Sequence, residues 1–446
     1  MMFKYFPHTE TDIKEMLDEI NLTSLDDLFR DIPDEVFFKK ELDLPEAVSE
    51  IELRKKLGEL AGKNKNLISF LGAGSYDVYT PSVIAALTSR QEFLTSYTPY
   101  QPEISQGTLQ YIFEFQSLIT ELTGMDIANA SVYDGATATM EAMFMATSYT
   151  RRNKVLISRT LNPLIIEVLK TYAGFRNLEL DYLETEDFRI SEKVLGEKLN
   201  PEVAAVIVQN PNFFGIVEEY EKIVEMIHAN KSLLIMNVDP STLAVLKTPG
   251  EIGADIACGD GQTLGIPKSF GGPYVGFIAT TDKLLRKLPG RICGLTNDLE
   301  GRRGFVLTLQ AREQHIRREK ANSNICSNQS LMALHTTIYM SLLGKQGLVE
   351  AAKRAYTNAH YLEAKLLETN LFKRVSDQPF FKEFILETKL DVPAINAYLL
   401  ENGILSGLDL SCFGENYQGK MLFCATEVRT KQEIDEFIKM VEAYHV

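Results

Sequence analysis

Apolar positions along this chain change rhythm twice. Through residue 65 they recur at helical spacing. Ile13, Met16, Leu17 and Ile20 form one stripe, and Leu25, Leu28 and Phe29 a second. Leu53, Leu57 and Leu60 form a third, expected to face inward. Ser24 with Asp27 and Ser49 with Glu52 have capping-box spacing, while Pro33 and Pro45 break the stretch between them. Such stripes need a surface to cover them. Residues 1–65 therefore read as an N-terminal helical arm that packs either on its own domain or on another subunit.

From residue 66 strands and helices alternate. Residues 67–71 are strand-like and run into Gly72-Ala73-Gly74. Leu109, Ile112, Phe113, Ile119 and Leu122 mark a helix that closes near Gly124. Short apolar strands are expected at 155–157, 203–208 and 233–238, with a helix over 218–230. Continuous apolar strands between helices predict a mainly parallel sheet covered on both faces, in a large domain of residues 66–328. Ligands of such sheets lie beyond the carboxyl ends of the strands, where Asn210-Pro211 and Asp239 fall. From Gln329 the pattern is helical again. Strands at 381–386 and 420–424 and helices at 392–402 and 431–444 then make a smaller C-terminal α/β domain, 329–446.

Composition narrows the function. The 446 residues are 45% hydrophobic and 24% charged, ordinary for a soluble globular chain. A net charge of −15 argues against a nucleic-acid surface and against docking on anionic membranes. The cysteines, Cys258, Cys293, Cys326, Cys412 and Cys424, form no Cys-x-x-Cys pair and have no histidine cluster beside them. Most of them read as buried thiols of a reducing compartment, with no metal. No cleavable leader is legible in Met1 to Glu10 and no apolar run reaches membrane-spanning length, so a cytoplasmic protein is expected.

Several segments could carry chemistry, each with a plainer alternative. Asp239, at the end of a buried strand, suits either a turn before Pro240 or an acid facing a pyridine nitrogen; position alone favours the turn. Gly135 and Thr137 open an apolar helix and could hold a phosphate on backbone N–H groups, or Asp134 or Thr137 could simply cap it. Gly72-Ala73-Gly74 continues to Asp77, a carboxylate where a dinucleotide's pyrophosphate would sit, which excludes a nicotinamide site. Lys268 lies beside glycines and could pass for a Schiff-base lysine, but reads better as a loop lysine. Residues 312–320 are a charge run expected on a helix, followed by Asn322, Ser323 and Asn324 in a dense polar stretch. Tyr97, Tyr100, Gln101 and Glu103 sit in a loop that two prolines hold extended, suited to recognition or to capping the next helix.

Taken together, the strings Phe6-Pro7-His8-Thr9-Glu10, Phe70 to Asp77, Ser89 to Thr95, Tyr97 to Gly107, Ala128 to Ser131 and Arg312 to Gln329 closely resemble the glycine cleavage system P-protein family, nearly end to end. The resemblance implies a fold type I pyridoxal-phosphate-dependent transferase-like α/β fold. It also implies decarboxylation of glycine on pyridoxal phosphate, the aminomethyl group passing to the lipoyl arm of H-protein. One departure stands out. In Gly253 to Pro267, the segment resembling the family's cofactor-lysine stretch, Gln262 occupies the lysine's place, and an amide cannot form a Schiff base. Arg159 stands where the catalytic relative has a ring-stacking histidine, while Asp239 matches the pyridine-nitrogen acid. The resemblance thus implies the alpha-type half of a split P-protein, without its own cofactor and with no catalytic residue of its own. Gly135, Thr137, Asp239 and Gln262 would form a degenerate pocket. Pyridoxal phosphate would sit in a beta subunit, in an alpha2beta2 heterotetramer served by lipoylated H-protein and the T- and L-proteins. Tyr97, Tyr100, Gln101, Glu103, Asn322, Ser323 and Asn324 are the candidates for interface or substrate entry. Two other readings stay open: an autonomous enzyme using Lys268, and a regulatory pseudoenzyme.

Overall fold

The computed structural model describes residues 5, 7–38, 40–321, 323–325 and 327–445. The chain divides into two units, residues 1–65 and 66–446.

In the first unit, helix Glu10–Glu19 starts from a Thr9/Asp12 capping box and helix Glu50–Ala61 from the expected Ser49/Glu52 box. Ser24 and Asp27 exchange the expected bonds, yet only a single 3-10 turn follows, Asp26–Phe29. The inward stripe does not materialise: Leu53, Leu57 and Leu60 each stay about half exposed. A lone amphipathic helix cannot bury its stripe against itself.

The second unit is built on a seven-stranded sheet. Its strands are β1 (Ile127–Ala128), β2 (Lys154–Ser158), β3 (Glu179–Leu183), β4 (Val203–Asn210), β5 (Leu233–Val238), β6 (Ile256–Asp260) and β7 (Gly276–Thr280). Their spatial order is β1-β7-β6-β5-β4-β2-β3, with only β7 antiparallel to its neighbours. The central strands read as unbroken apolar runs because both faces are covered. Val155 and Ile157 enter one core layer with helices Gly135–Thr150 and Pro163–Arg176. Leu156, Val206 and Val208 enter the other, with helices Gln106–Thr123 and Glu221–Ala229. Gly124, at φ 67°, ends the first of that second pair where the sequence placed the stop. These are the layers of a fold type I pyridoxal-phosphate-dependent enzyme.

Beyond the sheet a hairpin, β8 (Ile292–Asn297) and β9 (Arg303–Thr308), leads into the 310–320 segment. The continuous helix expected there is absent. The segment is three short turns, broken where Arg318 takes φ 52°. Helix Ser330–Glu368 bends at Gly344, whose φ of 57° and ψ of −172° are open to glycine at little cost. Its first half packs on the large sheet and its second half on a four-stranded antiparallel layer. That layer holds β10 (Phe372–Arg374), β11 (Glu383–Thr388), β12 (Leu408–Asp409) and β13 (Lys420–Cys424), in order β10-β11-β13-β12. The strand expected near 67–71 joins this C-terminal layer and not the large sheet. Ile68–Ser69 pairs in parallel with Ile404–Leu405, and Phe70 stacks on Phe437 at 4.5 Å. Among the described residues no helix is long and apolar enough to cross a membrane.

Candidate functional site

The carboxyl ends of β4, β5 and β6 deliver Gln209, Asn237, Asp239 and Asp260 to one cavity of about 340 Å³. Loop Gly72–Tyr76 and the first turn of helix Gly135–Thr150 close it. Of the four residues expected in a degenerate pocket, Gly135, Asp239 and Gln262 line this cavity. Thr137 lies one step inside the same turn, its N–H bonded to Asp134 Oδ1 at 2.7 Å.

Gln262 is fully buried, and its amide is matched to backbone groups, two of them on Tyr76. Its Oε1 accepts from Tyr76 N at 2.9 Å, while Nε2 donates to Tyr76 O at 2.9 Å and to Ile266 O at 2.6 Å. An ammonium could supply the donors but not the acceptor. Glutamine here fastens the 72–76 loop across the mouth of β6.

Asp239 is engaged just as fully. Its Oδ1 accepts from Ser241 N at 3.0 Å, Ser241 Oγ at 2.8 Å and Thr263 Oγ1 at 2.6 Å. Its Oδ2 meets the ammonium of Lys382, itself buried and seated 3.9 Å from the centre of the Tyr76 ring. Burial pushes the Asp239 carboxyl up, but Lys382 and the hydrogen bonds outweigh it and hold it below its ordinary value. Burial likewise pulls Lys382 down, and the Asp239 carboxylate more than restores it. The two form a charged pair between β5 and the start of β11. Glu383, next in sequence, accepts from Ala73 N at 2.6 Å and from the Tyr76 hydroxyl at 2.7 Å, and burial raises its pKa. This close fit explains Gly215. At φ 84°, a Cβ there would lie 1.9 Å from the Glu383 carbonyl oxygen.

The helix N-terminus is also taken. Asp260 Oδ2 accepts from Gly135 N at 2.9 Å and Oδ1 from Gln262 N at 2.9 Å, with its pKa pushed up by burial to about 7. These residues do not fit pyridoxal phosphate. Gln262 offers no amine for a Schiff base, Lys382 neutralises Asp239, and the carboxyl groups of Asp260 and Asp134 hold the N–H groups of Gly135 and Thr137 that a phosphate would need.

Other expected residues lie elsewhere. Arg159 turns away from this cavity, its guanidinium 4.0 Å from the Tyr182 ring centre, and Asn162 lines the cavity in its stead. Lys268 is part-exposed, 3.8 Å from Asp77 and outside the cavity. Asp77 pairs with Arg429 at 2.9 Å. Tyr97, Gln101, Glu103 and Asn324 are exposed. Tyr100 is half exposed and packs on Arg291 and His315. Ser323 donates to buried Glu141 at 2.8 Å. Asn322 and Cys326 lie outside the described residues. Cys258, Cys293 and Cys424 are buried as expected, whereas Cys412 is exposed. Among the described residues no group of three or more His, Cys, Asp or Glu is arranged to hold a metal. Sequence reasoning missed Lys382, Glu383 and Asp260. The available signal was Lys382-Glu383, a charged pair set inside the apolar run Phe380 to Leu386.

The buried acids predict a pH dependence. Burial raises Glu141 to about 7, as it does Asp260. The folded state then holds protons that the unfolded chain releases above about pH 4, so stability falls as pH rises through the 4–7 window and levels off above it. Glu141→Gln keeps the acceptor for Ser323 and removes the ionisation. It should stabilise the chain by roughly 2–3 kcal/mol at pH 8 and change little at pH 4. Urea unfolding at both values checks this; equal effects at the two would contradict it.

The sheet order, the ligand-side cavity and the C-terminal layer define the fold type I class of pyridoxal-phosphate-dependent enzymes. The glycine cleavage system P-protein family model matches residues 3–441, and the chain belongs to that enzyme family. It is 50% identical over 442 residues to a probable glycine dehydrogenase (decarboxylating) subunit 1 of Listeria monocytogenes, covering 98% of each. A Moorella thermoacetica protein of the same description is 51% identical, covering 97% of this chain and 98% of that one. A crystal structure of glycine decarboxylase (P-protein) in inhibitor-bound form superposes with a TM-score of 0.89 at 43% identity, covering 99% and 100% of the two chains.

Proposed function

We propose that this chain is the cofactor-free alpha subunit of a heteromeric glycine decarboxylase. A beta subunit carries pyridoxal phosphate and its lysine, and the pair decarboxylates glycine and passes the aminomethyl group to the lipoyl arm of H-protein. The carrying observation is the Gln262 amide, which both accepts from Tyr76 N and donates to Tyr76 O, a match no lysine could reproduce. The Lys382–Asp239 pair and the carboxylates at Gly135 and Thr137 support the same reading, since each fills a place a cofactor would need. What the chain contributes is shape. Tyr97, Gln101, Glu103 and Asn324 present exposed polar and aromatic groups for the interface or for substrate entry, with the half-exposed Tyr100 and part-buried Ser323 beside them. Most of the arm's apolar residues stay exposed and await a surface. The assembly is an alpha2beta2 heterotetramer that works with the T- and L-proteins in the cytoplasm.

Reconstitution tests this. The chain alone, given pyridoxal phosphate and then borohydride, should yield no reduced adduct on a specific lysine. Together with a beta subunit, H-protein and glycine it should release carbon dioxide, and omitting it should abolish turnover. Lys268→Ala should leave that turnover unchanged. A stoichiometric adduct on Lys268 would establish an autonomous enzyme instead, and full turnover by beta alone would leave a regulatory role.

A further inference from the structure

A second cavity, of about 380 Å³, opens between Tyr100, Arg291, residues 313–319 and Ile325, with His315, Arg318 and Glu319 in its wall. Arg291 and Glu313 line it from positions only 4% and 8% exposed. A buried arginine and glutamate side by side normally close into a two-pronged pair. Arg374 and Glu363 of this chain do so, at 2.6 and 2.7 Å. Arg291 and Glu313 do not. Their nearest polar atoms, Nε and Oε2, stand 3.9 Å apart, and Arg291 Nε and Glu313 Oε1 have no hydrogen-bond partner.

Other groups hold the two apart in fixed places. The Tyr100 hydroxyl accepts from Arg291 Nη2 at 3.3 Å, and the Tyr100 ring lies 5.4 Å from the guanidinium carbon. His315 stands 3.8 Å from Glu313 and edge-on to Tyr100. Two opposite charges are thus desolvated at the wall of one cavity, each with a polar atom unused, an arrangement that costs stability until a ligand completes it. An anion alone would satisfy Arg291 and be repelled by Glu313; a cation alone would meet the reverse. A molecule bearing a carboxylate and an ammonium a few ångströms apart satisfies both.

We propose that the Arg291–Glu313 cavity binds a free, small α-amino acid, its carboxylate on Arg291 and its ammonium on Glu313. The zwitterion class follows from the two charges; the further choice of glycine as the occupant rests on the function proposed above. The cavity is roomier than glycine needs, so charge and not side-chain size does the selecting.

The test uses the full chain and three probes, followed by saturation-transfer NMR and calorimetry at millimolar concentrations. Glycine should bind saturably. Glycolate, which lacks the ammonium, and methylamine, which lacks the carboxylate, should each bind about tenfold more weakly or worse. Arg291→Lys and Glu313→Gln should lose glycine by a similar factor while keeping the parent's circular-dichroism spectrum at the assay temperature. Absence of glycine binding to the parent chain overturns the site, as does glycolate binding equally well or variants that bind as the parent does. Reconstitution with the beta subunit separates the two ideas. Turnover by a complex whose alpha chain binds no glycine removes the site and keeps the function, whereas zwitterion-selective binding without turnover does the opposite.

Discussion

Replacing Lys382 with methionine should destabilise the 66–446 unit by about 3–5 kcal/mol, the cost of stranding a buried carboxylate. Asp239 keeps its three bonds from Ser241 and Thr263 in that variant, but Oδ2 loses the cation facing it. The carboxyl then binds a proton to remain buried, so the variant should lose stability as pH rises, where the parent's pair stays charged. Tyr76 also loses the ammonium held over its ring, and with it part of the tie between the 72–76 loop and β11. Adding Asp239→Asn should recover at least half of the loss, because the pair is then removed as a unit. Urea unfolding of the parent, the single and the double variant at neutral and acid pH reads all three effects. A single variant that unfolds like the parent would show that the pair fastens nothing.

How much of this was legible beforehand depends on the range over which the residues act. The parallel sheet was readable because continuous apolar runs such as Val203 to Val208 can be buried only between two helical layers. Gly124 and the Ser49/Glu52 box were readable because caps act within a few residues. The missing lysine was readable as a departure at one position, Gln262. What occupies the vacated chemistry was not. Lys382 reaches Asp239 across 143 positions of sequence, 382 less 239, and Glu383 accepts from Ala73 across 310. The apolar run around Lys382 and Glu383 marks the two charges as unusual, but nothing local names their partners. The 312–320 charge run misled for the complementary reason: its composition suits a helix, but Arg312 donates to the carbonyls of Leu288 and Gly290, which tie the segment down in short turns. Arg159 stands at the place of the family's stacking histidine in the sequence, but the cation–π contact with Tyr182 turns it elsewhere.

Restoring the lysine should not restore the cofactor. Gln262→Lys places an amine at the vacated position and removes the acceptor for Tyr76 N, leaving a buried N–H unpaired at a cost of about 1–3 kcal/mol. The remaining requirements stay unmet. Asp260 still holds the N–H of Gly135 and Asp134 that of Thr137, so a phosphate would approach two carboxyl groups, not a free helix terminus. Lys382 still neutralises Asp239, so the ring nitrogen would find an ammonium in its path. With excess pyridoxal phosphate, Gln262→Lys should therefore develop no near-visible imine band, and borohydride should fix no adduct at position 262. Combining it with Asp260→Ser and Lys382→Ala frees one N–H and the ring-nitrogen acid together, and only there should an adduct begin to form. If the single variant bound cofactor stoichiometrically, one amine would be all that separates this chain from a working site, and the carboxylates and Lys382 would have to move aside on binding. If neither variant bound, the closed 72–76 loop, still clasped to Glu383 through Tyr76 and Ala73, would be the dominant barrier. The order in which binding returns thus ranks the three obstacles: amine, phosphate seat and ring acid.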